Sequence, residues 1–245
     1  MHTVRCASTC LSSCPAVGTE PPQSEERSRR MKIGILGTGG MAAALGGAWT
    51  TAGHDVVIGG RNQGRAKQTA GRIGAAGYGS LADAAGHGDV ILVAVPAAEA
   101  PQLVDGLAGN LAGRTVIDCT NPVVPTSDGL MLNTGGTMSM ARQLATAAPD
   151  AHVVKAFNLC HVSIWTLRPP TFEGIPLAVP YCADQAEAAA ATENLISSLG
   201  CTPAPCGGLA RAAYLEATAA LAIGLWWAGQ QPRAAFPSLA EAPHS

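Results

Sequence analysis

The stretch KIGILGTGGMAAALGGAWTTAGHDVVIGGRN, residues 32–62, limits what this chain can fold into more than any other part of it. A short apolar run ends in Gly37-Thr38-Gly39-Gly40-Met41-Ala42, a G-x-G-x-x-A turn, and a small-residue segment and a second apolar run follow. Gly37 permits a tight turn out of a first strand, Gly39 leaves the backbone open to close approach, and Ala42 lets a helix pack against a sheet. The free N–H groups that open such a helix, with the positive end of its dipole behind them, favour an anion. In a chain with 29 glycines the turn alone says little, but strand, turn, helix and second strand in this order are the context it requires. A dinucleotide phosphate site at Gly37, Thr38, Gly39, Gly40 and Met41 is the expectation.

Farther along, apolar runs predict strands at Lys32–Leu36, Asp55–Ile58, Val90–Val95, Thr115–Asp118 and His152–Ala156, with Ala-rich helical segments between them and Ser80 as an N-cap. Continuous apolar strands alternating with helices argue for an α/β fold, a Rossmann-type doubly wound parallel sheet. That sheet is expected to close near Ala156, with a small C-terminal α/β cap after it. The cap reads as a β run from Ile175 to Cys182, a helix over about 184–199, an extended piece from Thr202 to Cys206 and an apolar helix from about Leu209 to Trp227. The divisions are a disordered extension at 1–30, a dinucleotide-binding domain at 31–158, a substrate and dimerisation region at 159–229 and a tail at 230–245. Met31, just before the first strand, also admits a start site there.

The end of the second strand selects the dinucleotide. A carboxylate there would bond both hydroxyls of the adenosine ribose and repel a 2′-phosphate. Here Gly59 and Gly60 leave room, Arg61 offers a guanidinium that pairs a phosphate bidentately, and Arg65 lies one helical turn on. NADP(H) is the cofactor these residues imply, and a solvated surface is the plainer account of the two arginines.

The segments MKIGILGTGGMAAAL, AGHDVVIGGRN, VILVAVP, VIDCTNP, VVKAFN and YLEATAAL together resemble the NADP oxidoreductases dependent on coenzyme F420, a domain type shared with the cytoplasmic part of the STEAP metalloreductases. The resemblance covers about residues 31–228. It implies hydride passage between NADPH and a deazaflavin, coenzyme F420, held against it. It also implies that a Ser/Arg pair after the second strand holds the 2′-phosphate. Arg61 matches that Arg, Gly60 stands where Ser is usual, and Arg65 sits where archaeal members place a Lys. The segment Lys155 to Asn158 would face the meeting place of the two cofactors, with Asn158 where archaeal members have a His.

Val95-Pro96 ends a strand at the crossover where ligands sit in such sheets, and Pro96 turns the chain across the cofactor. Thr120 and Asn121 can bond the nicotinamide amide, although Asn121-Pro122 equally suits a capped turn. Hydride transfer between two bound cofactors needs positioning more than acid–base work. Reduction of an imine or carbonyl would need a proton donor, for which the residues to weigh are His161, Tyr181, Tyr214 and Asp118. Asn158 and His161 are the catalytic candidates. Cys119 and Cys160 would react only as stabilised thiolates. Three functions stand open: an NADPH:F420 oxidoreductase, an NADPH-dependent reductase of a small imine or carbonyl metabolite, and a dinucleotide-sensing or partner-binding module without turnover.

A net charge of −2 gives no broad basic face, so nucleic acid is not an expected partner. The eight cysteines, with Cys6, Cys10 and Cys14 spaced four apart, match no metal pattern, and free thiols in a reducing cytoplasm are expected. YLEATAALAIGLWWAG is too short to span a bilayer and carries Glu216; it reads as a packing helix whose apolar circumference calls for a homodimer.

Overall fold

The computed structural model describes residues 30–134 and 138–235. The first half runs β1 (Lys32–Leu36), α1 (Gly40–Thr51), β2 (Asp55–Gly59), α2 (Gln63–Ile73), β3 (Gly77–Gly79), α3 (Leu81–His87), β4 (Val90–Val93), α4 (Ala100–Asp105), α5 (Ala108–Leu111) and β5 (Thr115–Asp118). A hairpin, β6 (Val123–Thr126) and β7 (Gly129–Leu132), precedes α6 (Met140–Ala147) and β8 (His152–Ala156). A second small hairpin, β9 (Thr171–Phe172) and β10 (Ile175–Pro176), leads to β11 (Ala178–Ala183), α7 (Ala186–Ser197), β12 (Thr202–Pro205) and α8 (Ala212–Trp227).

Eight strands form one sheet in the order β12-β11-β8-β5-β4-β1-β2-β3. The six strands from β3 to β8 are parallel, and the order reverses between β1 and β4. β1, β4 and β5 are buried almost throughout because helices cover both faces. One face packs against α1, α2 and α7 around Trp49, Ile58 and Leu195, and Trp49 Nε1 donates to the Leu195 carbonyl at 3.3 Å. The other packs against α3, α4, α6 and the start of α8 around Leu36, Ile91 and Val116. Here α3 rides directly on β1: a Cβ at Gly34 would lie 2.0 Å from the Ala84 carbonyl oxygen.

The sheet does not close at Ala156. β11 continues it, antiparallel to β8, pairing Tyr181 with Ala156 and Cys182 with Lys155. The physical reason is that β8 is buried on both faces, so an unpaired edge there would strand its backbone polar groups. β12 then forms the true edge, where Pro203 and Pro205 blunt further pairing. At the opposite edge β3 is three residues with two glycines, too short and too plain to be read as a strand beforehand. β4 stops at Val93 rather than Val95, and the last helix starts as a 3-10 turn at Leu209–Arg211. Ser80 caps α3 in a reciprocal capping box with Asp83, as expected. Residues 1–29 of the N-terminal extension, with Cys6, Cys10 and Cys14, lie outside the described residues, as do residues 236–245 of the tail.

A buried ionic cluster ties the layers together behind the strand ends. Lys155 Nζ on β8 lies 2.9 Å from Asp118 Oδ2 on β5 and 3.1 Å from Glu216 Oε1 on α8, and all three side chains are fully buried. Lys155 also donates to the Thr120 carbonyl at 2.6 Å, and Asp118 Oδ1 accepts from the Thr120 amide at 2.8 Å. Glu216 accepts from the Met140 and Ala141 amides at 3.0 and 3.3 Å, so the N-terminus of α6 supplies the positive potential that a second carboxylate demands. Burial by itself pushes the Lys155 ammonium down, but Asp118 and Glu216 outweigh it and hold the group above the ordinary lysine range. Its stabilising share is therefore complete below that range and fades only as pH rises through it.

Removing the cation leaves two buried carboxylates facing each other. Lys155→Met is expected to lose about 3–5 kcal/mol at pH 8. The unpaired carboxyls would then bind protons on folding, so the deficit shrinks as pH falls toward 5. Urea unfolding at both pH values reads this, and a deficit that grows on acidification would contradict the charge account.

Candidate functional site

At the switch point between β1 and β4 the glycine turn lies open. Gly37 has φ +133°, and a Cβ there would meet the Ala94 carbonyl at 2.3 Å, so only glycine fits. Gly39 is the N-cap of α1 and brings no capping side chain; Gly39 and Gly40 are exposed, and a Cβ at Gly39 would meet open space. The first-turn N–H groups of α1 thus face solvent, fit to receive a pyrophosphate, while Ala42 is buried beneath them.

Beside this turn stand the residues at the end of β2. A Cβ at Gly60 would come 2.7 Å from Thr38 Cγ2. Thr38 therefore fills the space that a serine at position 60 would use, and it carries a hydroxyl of its own. Arg61 is exposed, with Nη2 2.7 Å from Glu99 Oε2. Arg65 sits in the first turn of α2; Asn62 caps its amide at 3.0 Å, and its guanidinium has no ion-pair partner among the described residues. A cavity of about 370 Å³ opens between Arg61 and α4, walled by Leu81, Leu103 and Leu107. Val95 is half-buried where the chain leaves β4, and Pro96 is exposed at the head of the 3-10 turn Ala97–Glu99.

A second cavity is larger and different in kind. A cleft of about 770 Å³ is bounded by Met41 of α1, by Cys119 and Asn121 after β5, by residues 157–163 after β8, and by Ile223, Trp226 and Trp227 of α8. Asn121 and Asn158 hold each other: Asn158 Nδ2 donates to Asn121 Oδ1 at 3.0 Å, and Asn121 Nδ2 donates to the Asn158 carbonyl at 2.8 Å. Asn158 Nδ2 also donates to the Leu215 carbonyl at 3.1 Å. Both amide hydrogens being engaged, Asn158 Oδ1 is left buried without a partner, and Thr120 Oγ1 is in the same condition. A buried polar atom without a partner is costly. Phe157 reaches this geometry at φ +62°, held between the edges of Trp49 and Trp165 at 5.5 and 5.3 Å.

His161 lines the same cleft. Its Nδ1 accepts from the Ser163 amide at 3.3 Å and pairs with Ser163 Oγ at 2.9 Å, and its ring lies 5.1 Å from that of Trp226. The other residues weighed as proton donors are elsewhere. Asp118 is locked to Lys155. Tyr181 donates to Glu193, and burial and that carboxylate push its hydroxyl up to about 12. Tyr214 is exposed under Arg211. Burial also pushes the Cys119 thiol up to about 12 and the Cys160 thiol up to about 11, so neither is a ready nucleophile. The five described cysteines are unbridged, and no cluster of metal-ligating side chains occurs among the described residues.

Several parts of this site carry no signal in the sequence. Glu99 lies in a generic Ala-rich turn, Ser163 matters only through His161, and Pro232, placed in the tail, lines the cleft. Trp226 and Trp227 stood out as packing residues, and the structure makes them cleft walls.

Several known proteins are similar to this chain. Residues 32–122 match the family model described as NADP oxidoreductase coenzyme F420-dependent. The chain is 34% identical over 201 residues to metalloreductase STEAP3 of Rattus norvegicus, an alignment covering 80% of this chain and 38% of that protein. It thus spans about two fifths of the length of that relative. A solved structure from Arthrobacter sp. fb24, provisionally described as an F420-dependent NADP-reductase, superposes with TM-score 0.73 at 28% identity, covering 82% of this chain and 96% of its own. An imine reductase from Pseudomonas sp. shares the fold alone, with TM-score 0.61 at 18% identity over 81% of this chain and 64% of its own. The match to that family model runs from the strand before the glycine turn to Asn121-Pro122 and takes in less than half of the chain.

Proposed function

We propose that this chain is an NADP(H)-dependent oxidoreductase that passes hydride between the nicotinamide and an acceptor seated in the tryptophan-walled cleft, with coenzyme F420 as that acceptor. The observation that carries the reading is what flanks the α1 N-terminus. Exposed amides at the α1 N-terminus stand between a cationic adenosine end at Arg61 and Arg65 and an apolar cleft that begins at Met41 of the same helix.

Bound here, NADPH supplies a hydride, two electrons with one hydrogen. The chain's own residues bind and orient. Gly37 to Met41 hold the pyrophosphate through backbone N–H groups; Thr38, Arg61 and Arg65 hold the 2′-phosphate beside Gly60. Val95 and Pro96 wall the middle of the crevice. Asn121 and Asn158, locked to each other on the cleft wall, meet the nicotinamide carboxamide, with Thr120 buried beside them. His161, at the wet end of the cleft, brings the proton that a reduced acceptor needs. That histidine also favours a second reading, reduction of a small imine or carbonyl compound.

The exposed faces of Leu221, Trp226 and Trp227 support a homodimer built on α8, and the unbridged thiols suit a reducing cytoplasm. No described helix is long and apolar enough to cross a membrane.

Mixing the protein with NADPH and F420 is expected to bleach the visible deazaflavin band. If F420 is inert while an imine and carbonyl panel consumes NADPH, the second reading replaces the first. Arg61→Asp is expected to weaken NADPH binding about tenfold to a hundredfold and NADH binding no more than about threefold. Calorimetry with both dinucleotides reads this, and equal losses would remove the 2′-phosphate assignment. Sedimentation is expected to give twice the chain mass; a stable monomer at micromolar concentration would rule out the α8 interface.

A further inference from the structure

Arg61, the cation on which dinucleotide choice turns, is already paired. Its Nη2 lies 2.7 Å from Glu99 Oε2. Arg61 follows β2 and Glu99 ends the 3-10 turn after β4, so the pair bridges the two halves of the doubly wound sheet. Both side chains border the cavity of about 370 Å³ at the adenosine end of the crevice, with Gln102 and Leu103. With the Arg61 side chain 75% exposed and that of Glu99 40% exposed, water screens the pair, and it exchanges readily for a better anion.

We propose that Glu99 is a specificity-determining residue that neutralises Arg61 until a ribose phosphate displaces it. This rests on NADP(H) being the cofactor. An adenosine ribose without a 2′-phosphate leaves the ion pair intact and meets a neutral pair. A ribose 2′-phosphate must take the guanidinium from Glu99 and then sits beside a released carboxylate of its own sign. The discrimination of the site is therefore the difference between two Arg61 pairings, and Glu99 narrows it. Arg65 adds cationic potential to both pairings and does not alter that difference in kind.

Dissociation constants for NADPH and NADH, measured by calorimetry on the full chain, test this in wild type, Glu99→Gln, Arg61→Gln and the double variant. Glu99→Gln keeps the side-chain shape at an exposed position and removes its charge. It is expected to tighten NADPH about threefold to fivefold and leave NADH within about twofold. The gain should shrink at high salt and vanish in the Arg61→Gln background. Looser NADPH binding in Glu99→Gln would mean that Glu99 orients Arg61 instead, and overturns the proposal. So would an equal shift for both dinucleotides, or a gain that survives without Arg61. If wild type holds NADH as firmly as NADPH and Arg61→Gln changes neither, the cofactor reading itself is wrong and the proposal falls with it. An Arg61-dependent NADPH preference with an inert Glu99→Gln overturns the role of Glu99 alone.

Discussion

The ammonium of Lys155 is the fixed point of this structure. It sits without water between Asp118 on β5 and Glu216 on α8, and its third bond goes to the Thr120 carbonyl. Those bonds set both sides of the cleft. Thr120 is held through its amide by Asp118 and through its carbonyl by Lys155, so Asn121 emerges in one place. Glu216 pins the first turns of α8, and the same helix carries Ile223, Trp226 and Trp227 across the mouth. Burying three charges is defensible only because each is fully bonded and the α6 N-terminus meets the excess negative charge.

Much of the fold was legible in the sequence because continuous apolar strands and a glycine turn are dense signals. β1 and β5 fall at their expected limits, and the turn opens a helix at Gly40 as its spacing requires. What stayed hidden depends on pairing across the chain. β11 reads locally as a strand, but nothing local says that it joins β8 rather than a separate cap. β3 owes its existence to an open edge of β2, not to its own residues.

The site divides in the same way. Gly37, Gly39 and Arg61 were legible because a turn, a close approach and a charge are written one residue at a time. Asn158 was singled out by position, but its orientation comes from Asn121 and the Leu215 carbonyl, partners 37 and 57 residues away. Asp118 at a strand end was one residue to weigh as a proton donor, with a plain structural role favoured; its partner Lys155, 37 residues on, holds it in a buried ion pair. Glu99 gave no sign at all, since its meaning lies wholly in the guanidinium opposite.

The cavity at Arg61 and the tryptophan-walled cleft use different physics, and the difference bears on chemistry. The end at Arg61 is exposed and ionic, where Arg61, Arg65 and Glu99 carry charges that water and salt screen. Among the described residues lining the acceptor cleft there is no carboxylate, lysine or arginine, and the thiols there stay protonated. A wall without fixed charge does not compensate a cation or an anion taken out of water. It suits a flat, largely apolar ring held against tryptophan faces, with any charged groups of the same molecule left outside in water. In the proposed function, recognition is therefore concentrated at the ionic end, and the apolar cleft is left to geometry, the requirement that hydride transfer between two held rings imposes.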